Sequence, residues 1–121
     1  MLCNIMPKRI NTRTKGANAE REAQGLLHAS GYLVDRVKGS SKFNKQVDFF
    51  GIGDLNCIPK KTMEDQSFLI VQVKSNTTAG APKKIRLWRS EFEIPSWVKT
   101  QVWVRYDNKD TDNRWRVIDV V

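Results

Sequence analysis

Residues 68 to 75 read FLIVQVKS, and this stretch constrains the chain more than any other. Side chains alternate between the two faces of a strand. Leu69, Val71 and Val73 therefore take one face, and Phe68, Ile70, Gln72 and Lys74 the other. A strand that is apolar on both faces belongs in the middle of a sheet, covered on each side. Gln72 and Lys74 depart from that pattern on one face and at one end only. A lysine is strongly depleted from buried strands unless its charge finds a partner. The fold must therefore bury the first part of FLIVQVKS and bring a carboxylate, a phosphate or a solvent-filled cleft to Lys74.

The rest of the chain supplies elements for such a sheet. ANAEREAQGLLHASG predicts a helix from about Ala17 to Ser30, with Gly31 as its C-terminal cap and Thr14 or Asn18 as candidates to cap its start. Its apolar stripe is Ala19, Ala23, Leu26, Leu27 and Ser30. Glu20 borders that inward stripe, and Glu22 lies elsewhere on the wheel. YLVDRV (32–37), the region QVDFFGIGDLNCI around Gly51 and Gly53, TQVWVRY and RWRVIDVV read as strands. A second, shorter helix is expected near Ile85 to Glu93, with Pro82 at or before its start and Pro95 after its end. The order is helix, several strands, a short helix, then two strands. It predicts an α/β or α+β architecture with a mixed sheet. We expect one domain over residues 15–121, preceded by a flexible basic arm over residues 1–14.

Charge narrows the class of partner. Lys and Arg number 21 against 13 Asp and Glu, a formal charge of +8 on 121 residues. Such an excess on a small domain favours polyanions, and nucleic acid is the expected partner. No segment is both basic and strongly amphipathic, so a membrane surface is not. Cys3 and Cys57 give no disulfide framework, and Met1 to Lys8 holds no signal-peptide core, so an intracellular setting is expected. One histidine and two cysteines leave no zinc site, and Ser40 and Ser41 have no histidine partner for a hydrolase triad.

A carboxylate for Lys74 lies upstream. DLNCI and FLIVQ can pair as a hairpin across PKKTMEDQS, which brings Asp54 to Gln72 and Lys74. Gly51 and Gly53 allow the backbone to bend there. A hard divalent ion takes oxygen ligands, and this group offers them: the Asp54 carboxylate, the Gln72 amide oxygen and the Val73 backbone carbonyl. Lys74 does not ligate a cation. It can hold an attacking water or offset charge on a phosphoryl transition state. Glu20 can orient that water or complete the metal shell.

GIGDLNCI followed by VQVKS resembles the PD-(D/E)XK nuclease motif, in the variant with Gln at the second acidic position. KGANAEREAQGLLHASGYLVDRVKGSSK resembles the opening of archaeal Holliday junction resolvases, and RWRVIDV their final strand. The resemblance covers most of residues 15–121. It implies a restriction-endonuclease-like α/β core with a mixed central sheet flanked by helices. It also implies Mg²⁺ or Mn²⁺ as cofactor, DNA (branched DNA included) as partner, and a homodimer. Carried over residue by residue, Asp54 is the motif aspartate, Gln72 stands for the second acid, Lys74 is the motif lysine and Glu20 the helix glutamate. Arg21 follows that glutamate, Arg36 ends the next strand, and Ser40 lies in the loop after it, and all three are expected to contact DNA. Asp48 is an alternative to Asp54, because it sits closer to that loop, as in the resolvases. A bulge at the glycines would change which face each aspartate uses.

Two basic clusters flank the motif in sequence: Lys38, Lys42 and Lys45 before it, and Lys83, Lys84, Arg86 and Arg89 after it. They are candidates for phosphate contact. Trp103 and Trp115 alternate with valines and are expected to pack on the sheet. Trp88 and Trp97 flank the second helix and are candidates for a dimer interface or for base stacking. The expected function is a metal-dependent, structure-selective DNA endonuclease. Its rivals are a DNA-binding module that keeps the fold without the chemistry, and an RNA-binding or structural protein in which Asp54 and Lys74 lie apart.

Overall fold

The computed structural model describes residues 12–36, 50–107 and 114–121, the side chains of residues 12–15 excepted. Seven elements follow one another: α1 (Thr12–Ala29), β1 (Tyr32–Arg36), β2 (Leu55–Pro59), β3 (Phe68–Ser75), α2 (Ala81–Glu91), β4 (Val98–Arg105) and β5 (Trp115–Val120). The strands form a single sheet in the order β1-β2-β3-β4-β5. β1–β2, β2–β3 and β4–β5 are antiparallel, whereas β3 and β4 run parallel and pair over the whole of β3, from Phe68 opposite Val98 to Ser75 opposite Arg105. A parallel pair needs a crossover, and α2 provides it. The mixed sheet between helices is the expected α/β architecture.

β3 is central, and its alternation divides the core in two. Leu69, Val71 and Val73 join Leu55 and Cys57 of β2 against Ala19, Ala23 and Leu27 of α1. Ile70 joins Val98, Val102 and Val104 of β4, and Val120 of β5, against Ala81 and Ile85 of α2. The two helices thus cover opposite faces of one strand, as a strand apolar on both sides requires. Trp103 and Trp115 pack on the α1 side, edge to face at 5.6 Å, so their sheet-packing role holds. Cys57 is fully buried there, and burial pushes its thiol up to about 12.

Several element boundaries differ from expectation. α1 begins at Thr12, five residues before Ala17, so residues 12–14 are helical and Thr14 and Asn18 lie inside the helix rather than at its cap. Extending a formed helix costs far less than nucleating one, and a single glycine such as Gly16 does not stop it. Leu26 is 44% exposed and Ser30 is exposed, so both leave the inward stripe. Ser30 instead returns its hydroxyl to the Leu26 carbonyl at 3.0 Å, and Gly31, at φ 114°, turns the chain into β1. α2 begins at Ala81, four residues before Ile85, behind a left-handed Gly80, with Pro82 in its first turn. Lys83 and Lys84 therefore belong to the helix and not to the preceding loop. β4 starts two residues before Thr100, and β5 runs from Trp115 to Val120, while Val37, expected to close β1, lies outside the described residues.

Candidate active site

The end of β2 brings Asp54 to β3. The register pairs Leu55 with Val71 and so points Asp54 toward Gln72. The Asp54 N–H goes instead to the Val71 carbonyl at 2.8 Å, one residue back, the offset that a β-bulge produces. Gly53 makes the approach feasible, because a Cβ there would overlap Ile70 Cγ2. With the ladder broken, the Asp54 side chain takes over its hydrogen bonds. Its Oδ2 accepts from the Val73 N–H at 2.8 Å and from Gln72 Nε2 at 2.9 Å. Asp54 and Gln72 are 6% and 7% exposed, so this is a buried polar contact at the margin of the core.

Gln72 also faces a cleft of about 120 Å³ between β3 and the start of α2. Lys74 lines it two residues further along the same face, with Ile52 and Ile85 beside them. Gln72 thus links the Asp54 carboxylate to the cleft that holds Lys74, and the hairpin expected from the sequence does bring this aspartate to Gln72. The N–H and C=O of one strand residue point to the same side, so the Val73 carbonyl also faces the β2 side, where Asp54 stands.

Glu20 enters from α1. Its carboxylate lies 3.7 Å from Arg36 Nη1, and Arg36 pairs with Leu55 in the sheet. The Glu20–Arg36 pair is therefore one residue from Asp54 along β2. Arg21 is exposed on α1. Lys83, Lys84 and Arg86 are exposed on α2, and Lys84 also lines the Gln72–Lys74 cleft. Arg89 points back to the sheet, donating to the Val98 carbonyl and the Thr100 hydroxyl, both at 3.4 Å. Asp48, Lys38, Ser40, Lys42 and Lys45 lie outside the described residues.

The sequence reading missed an ion-pair cluster at the same end of the sheet. Glu22 meets Arg105 of β4 and Arg114, each at 3.0 Å, and ties α1 to the β4–β5 edge. Arg105 pairs with Ser75, the residue after Lys74. Next to it, Asn76 and Asp107 exchange hydrogen bonds at 2.9 and 3.0 Å. The available signal was an arginine at the facing ends of two successive strands: Arg105 closes VWVR, and Arg114 precedes WRVIDV. Their partner is 83 and 92 residues away, beyond any local pattern.

A second groove, of about 430 Å³, opens on the α2 side toward the other end of β3. Phe50, Phe68, Trp88, Ile94 and Trp97 line it. Phe50 stacks on Trp88 at 5.9 Å, and Trp97 is 59% exposed.

The residues fit a hard cation in donor type. Asp54 brings carboxylate oxygens, Gln72 an amide and Val73 a carbonyl. The amide now donates to Asp54. A half-turn about its last side-chain bond exchanges nitrogen for oxygen, and a cation favours that orientation. Among the described residues no three His, Cys, Asp or Glu side chains gather into a metal-holding group, so Gln72 and backbone would have to complete the shell.

The fold has a solved counterpart. The chain is similar in structure to Hjc of Archaeoglobus fulgidus, a Holliday junction resolvase from an archaeal hyperthermophile. The TM-score is 0.53, over 88% of this chain and 73% of that one, at 18% identity. This shows a shared fold. No protein-family model matches the chain, and no curated protein matches it in sequence. No helix among the described residues is long and apolar enough to cross a membrane.

Proposed function

We propose that this chain is a metal-dependent endonuclease that hydrolyses phosphodiester bonds in DNA, with branched DNA as its preferred substrate. One observation carries the reading: Asp54, Gln72 and Val73 converge at the broken edge of the β2–β3 ladder, next to the cleft that holds Lys74. The likeness to a resolvase fold supports it. Asp54, Gln72 and the Val73 carbonyl would hold Mg²⁺ or Mn²⁺, with Glu20 or water completing the shell. Bound there, the ion supplies Lewis-acid stabilisation of the phosphoryl oxygens. Lys74 orients the attacking water and offsets the charge that develops on the phosphate. The water oxygen forms a new bond to phosphorus as its proton passes to solvent, while the bond from phosphorus to the bridging oxygen breaks and that oxygen leaves as an alcohol, taking up a proton from solvent. Arg21, Lys83 and Arg86, together with Lys38, Ser40, Lys42 and Lys45, hold the backbone without reading sequence. A second copy of the chain would place two such sites on a symmetric junction. The basic residues that precede α1 add sequence-independent affinity.

Four-way junction, flap, duplex and single-stranded DNA, each incubated with Mg²⁺, Mn²⁺ or EDTA, test the reading. It expects metal-dependent cuts, fastest on the junction. Tight binding with no cuts in either metal contradicts it. That result would favour a DNA-binding module that keeps the fold, a reading that the Gln72-to-Asp54 hydrogen bond supports, since a neutral amide stands where a second acid would strengthen metal binding.

A further inference from the structure

The cleft beside Gln72 contains a second cation. Lys74 reaches it from β3 and Lys84 from the first turn of α2, and Gly80 and Ala81 form part of its wall. No acidic residue is among the described residues that line it. Its floor is apolar, with Ile85 1% and Ile52 3% exposed, and Gln72 is its buried polar group. Two lysines that line one small cleft bring like charges to it, and an anion held between them would offset their repulsion. At about 120 Å³ the cleft has room for some four waters, each taking ~30 Å³, or for one phosphate group.

We propose that Lys84 and Lys74 together hold one backbone phosphate of the nucleic acid in this cleft, so that α2 decides which phosphodiester reaches Asp54. Lys84 is then a positioning residue of the site and not one more charge on a basic surface. Its neighbour Lys83 is exposed and does not line the cleft. The distinction depends on where α2 starts. A helix beginning at Ala81 places Ile85 in the core and Lys84 at the cleft. This inference rests on the reading of the site as a nucleic-acid site, but its test does not need cleavage.

Affinity for a short DNA duplex in EDTA is measured for the wild type, Lys74→Ala, Lys84→Ala, Lys84→Arg, Lys83→Ala and the doubles of Lys74→Ala with Lys84→Ala and with Lys83→Ala. Circular dichroism confirms that each variant is folded. Lys84→Ala should weaken binding about tenfold, the loss of one charge-assisted contact. Lys83→Ala should weaken it about twofold, and Lys84→Arg should retain most of the affinity. Two lysines on one phosphate are coupled. The Lys74–Lys84 double should therefore lose at least fivefold less than the product of its singles, and the Lys74–Lys83 double should lose the full product. Equal losses for Lys83→Ala and Lys84→Ala, or a Lys74–Lys84 double that loses the full product, would overturn the proposal. If the coupling is found and the protein cuts nothing, the phosphate seat stands and the nuclease reading falls. If the protein cuts DNA and the coupling is absent, the reverse holds.

Discussion

The two faces of β3 are built from alternate residues of one strand and do different work. On the α1 side, Leu69, Val71 and Val73 close a dry core with Leu55, Cys57 and three small or aliphatic residues of α1. Glu22 ties that helix to Arg105 and Arg114 at the far edge. On the α2 side, Ile70 lies in an equally buried cluster, but that cluster opens at both ends. One opening holds Gln72, Lys74 and Lys84; the other is lined by aromatic side chains. One face therefore stabilises the sheet while the other presents polar groups from it. A rigid strand between them keeps those groups in fixed positions, which a metal or phosphate site requires.

This contrast can be broken in order of expected effect. Asp54→Asn keeps an oxygen for the Val73 N–H but loses the charge a cation needs. Single-turnover cleavage should fall about a thousandfold or more, with the melting temperature nearly unchanged. Leu55→Ala acts on the other face. Leu55 is fully buried, so its truncation should cost about 3 kcal/mol and lower the melting temperature by roughly 10–15 °C, while cleavage survives below the transition. If Leu55→Ala abolished cleavage in the folded state, the two faces would not be separable. Glu22→Gln removes the charge that two partly buried arginines share. Chemical denaturation should show a loss of about 1–2 kcal/mol, reduced at high salt.

The smallest effect concerns Asp65, bound to Lys99 at 2.6 Å on the surface. The hydrogen bond from Lys99 comes first, with those from Ser67, in holding this carboxyl down to about 2 from an ordinary 3.8. A lowered folded-state value means a contribution that is present above about pH 4 and lost as pH falls toward 2. Asp65→Asn should remove that contribution, so its small loss of stability shows at neutral pH and disappears as pH falls toward 2. Both groups are exposed, so added salt should mask the difference.

Much of this was legible in the sequence, for reasons that can be given residue by residue. The alternation in FLIVQVKS determines both faces of β3, because a strand has only two. Hairpin pairing across PKKTMEDQS sufficed to bring Asp54 to Gln72, because both strands meet at a loop whose length the sequence states. Other features depended on tertiary context. The early start of α1 was hidden by Gly16 and by Thr12 and Thr14, which intrinsic propensity disfavours and helix extension tolerates. The start of α2 was hidden by Pro82, which suits a first turn as well as a loop. That four-residue difference kept Lys84 in a surface cluster instead of in the cleft. The Glu22 cluster joins the first helix to the last two strands, and no local pattern reports such a contact.

The most direct test of the central claim is single-turnover cleavage of a four-way junction in Mg²⁺ by Lys74→Ala and the wild type, with junction affinity measured in EDTA on the same preparations. A lysine that serves the chemistry predicts a loss of at least a hundredfold in the cleavage rate while the affinity falls by about tenfold or less. Cleavage by Lys74→Ala at the wild-type rate would contradict it.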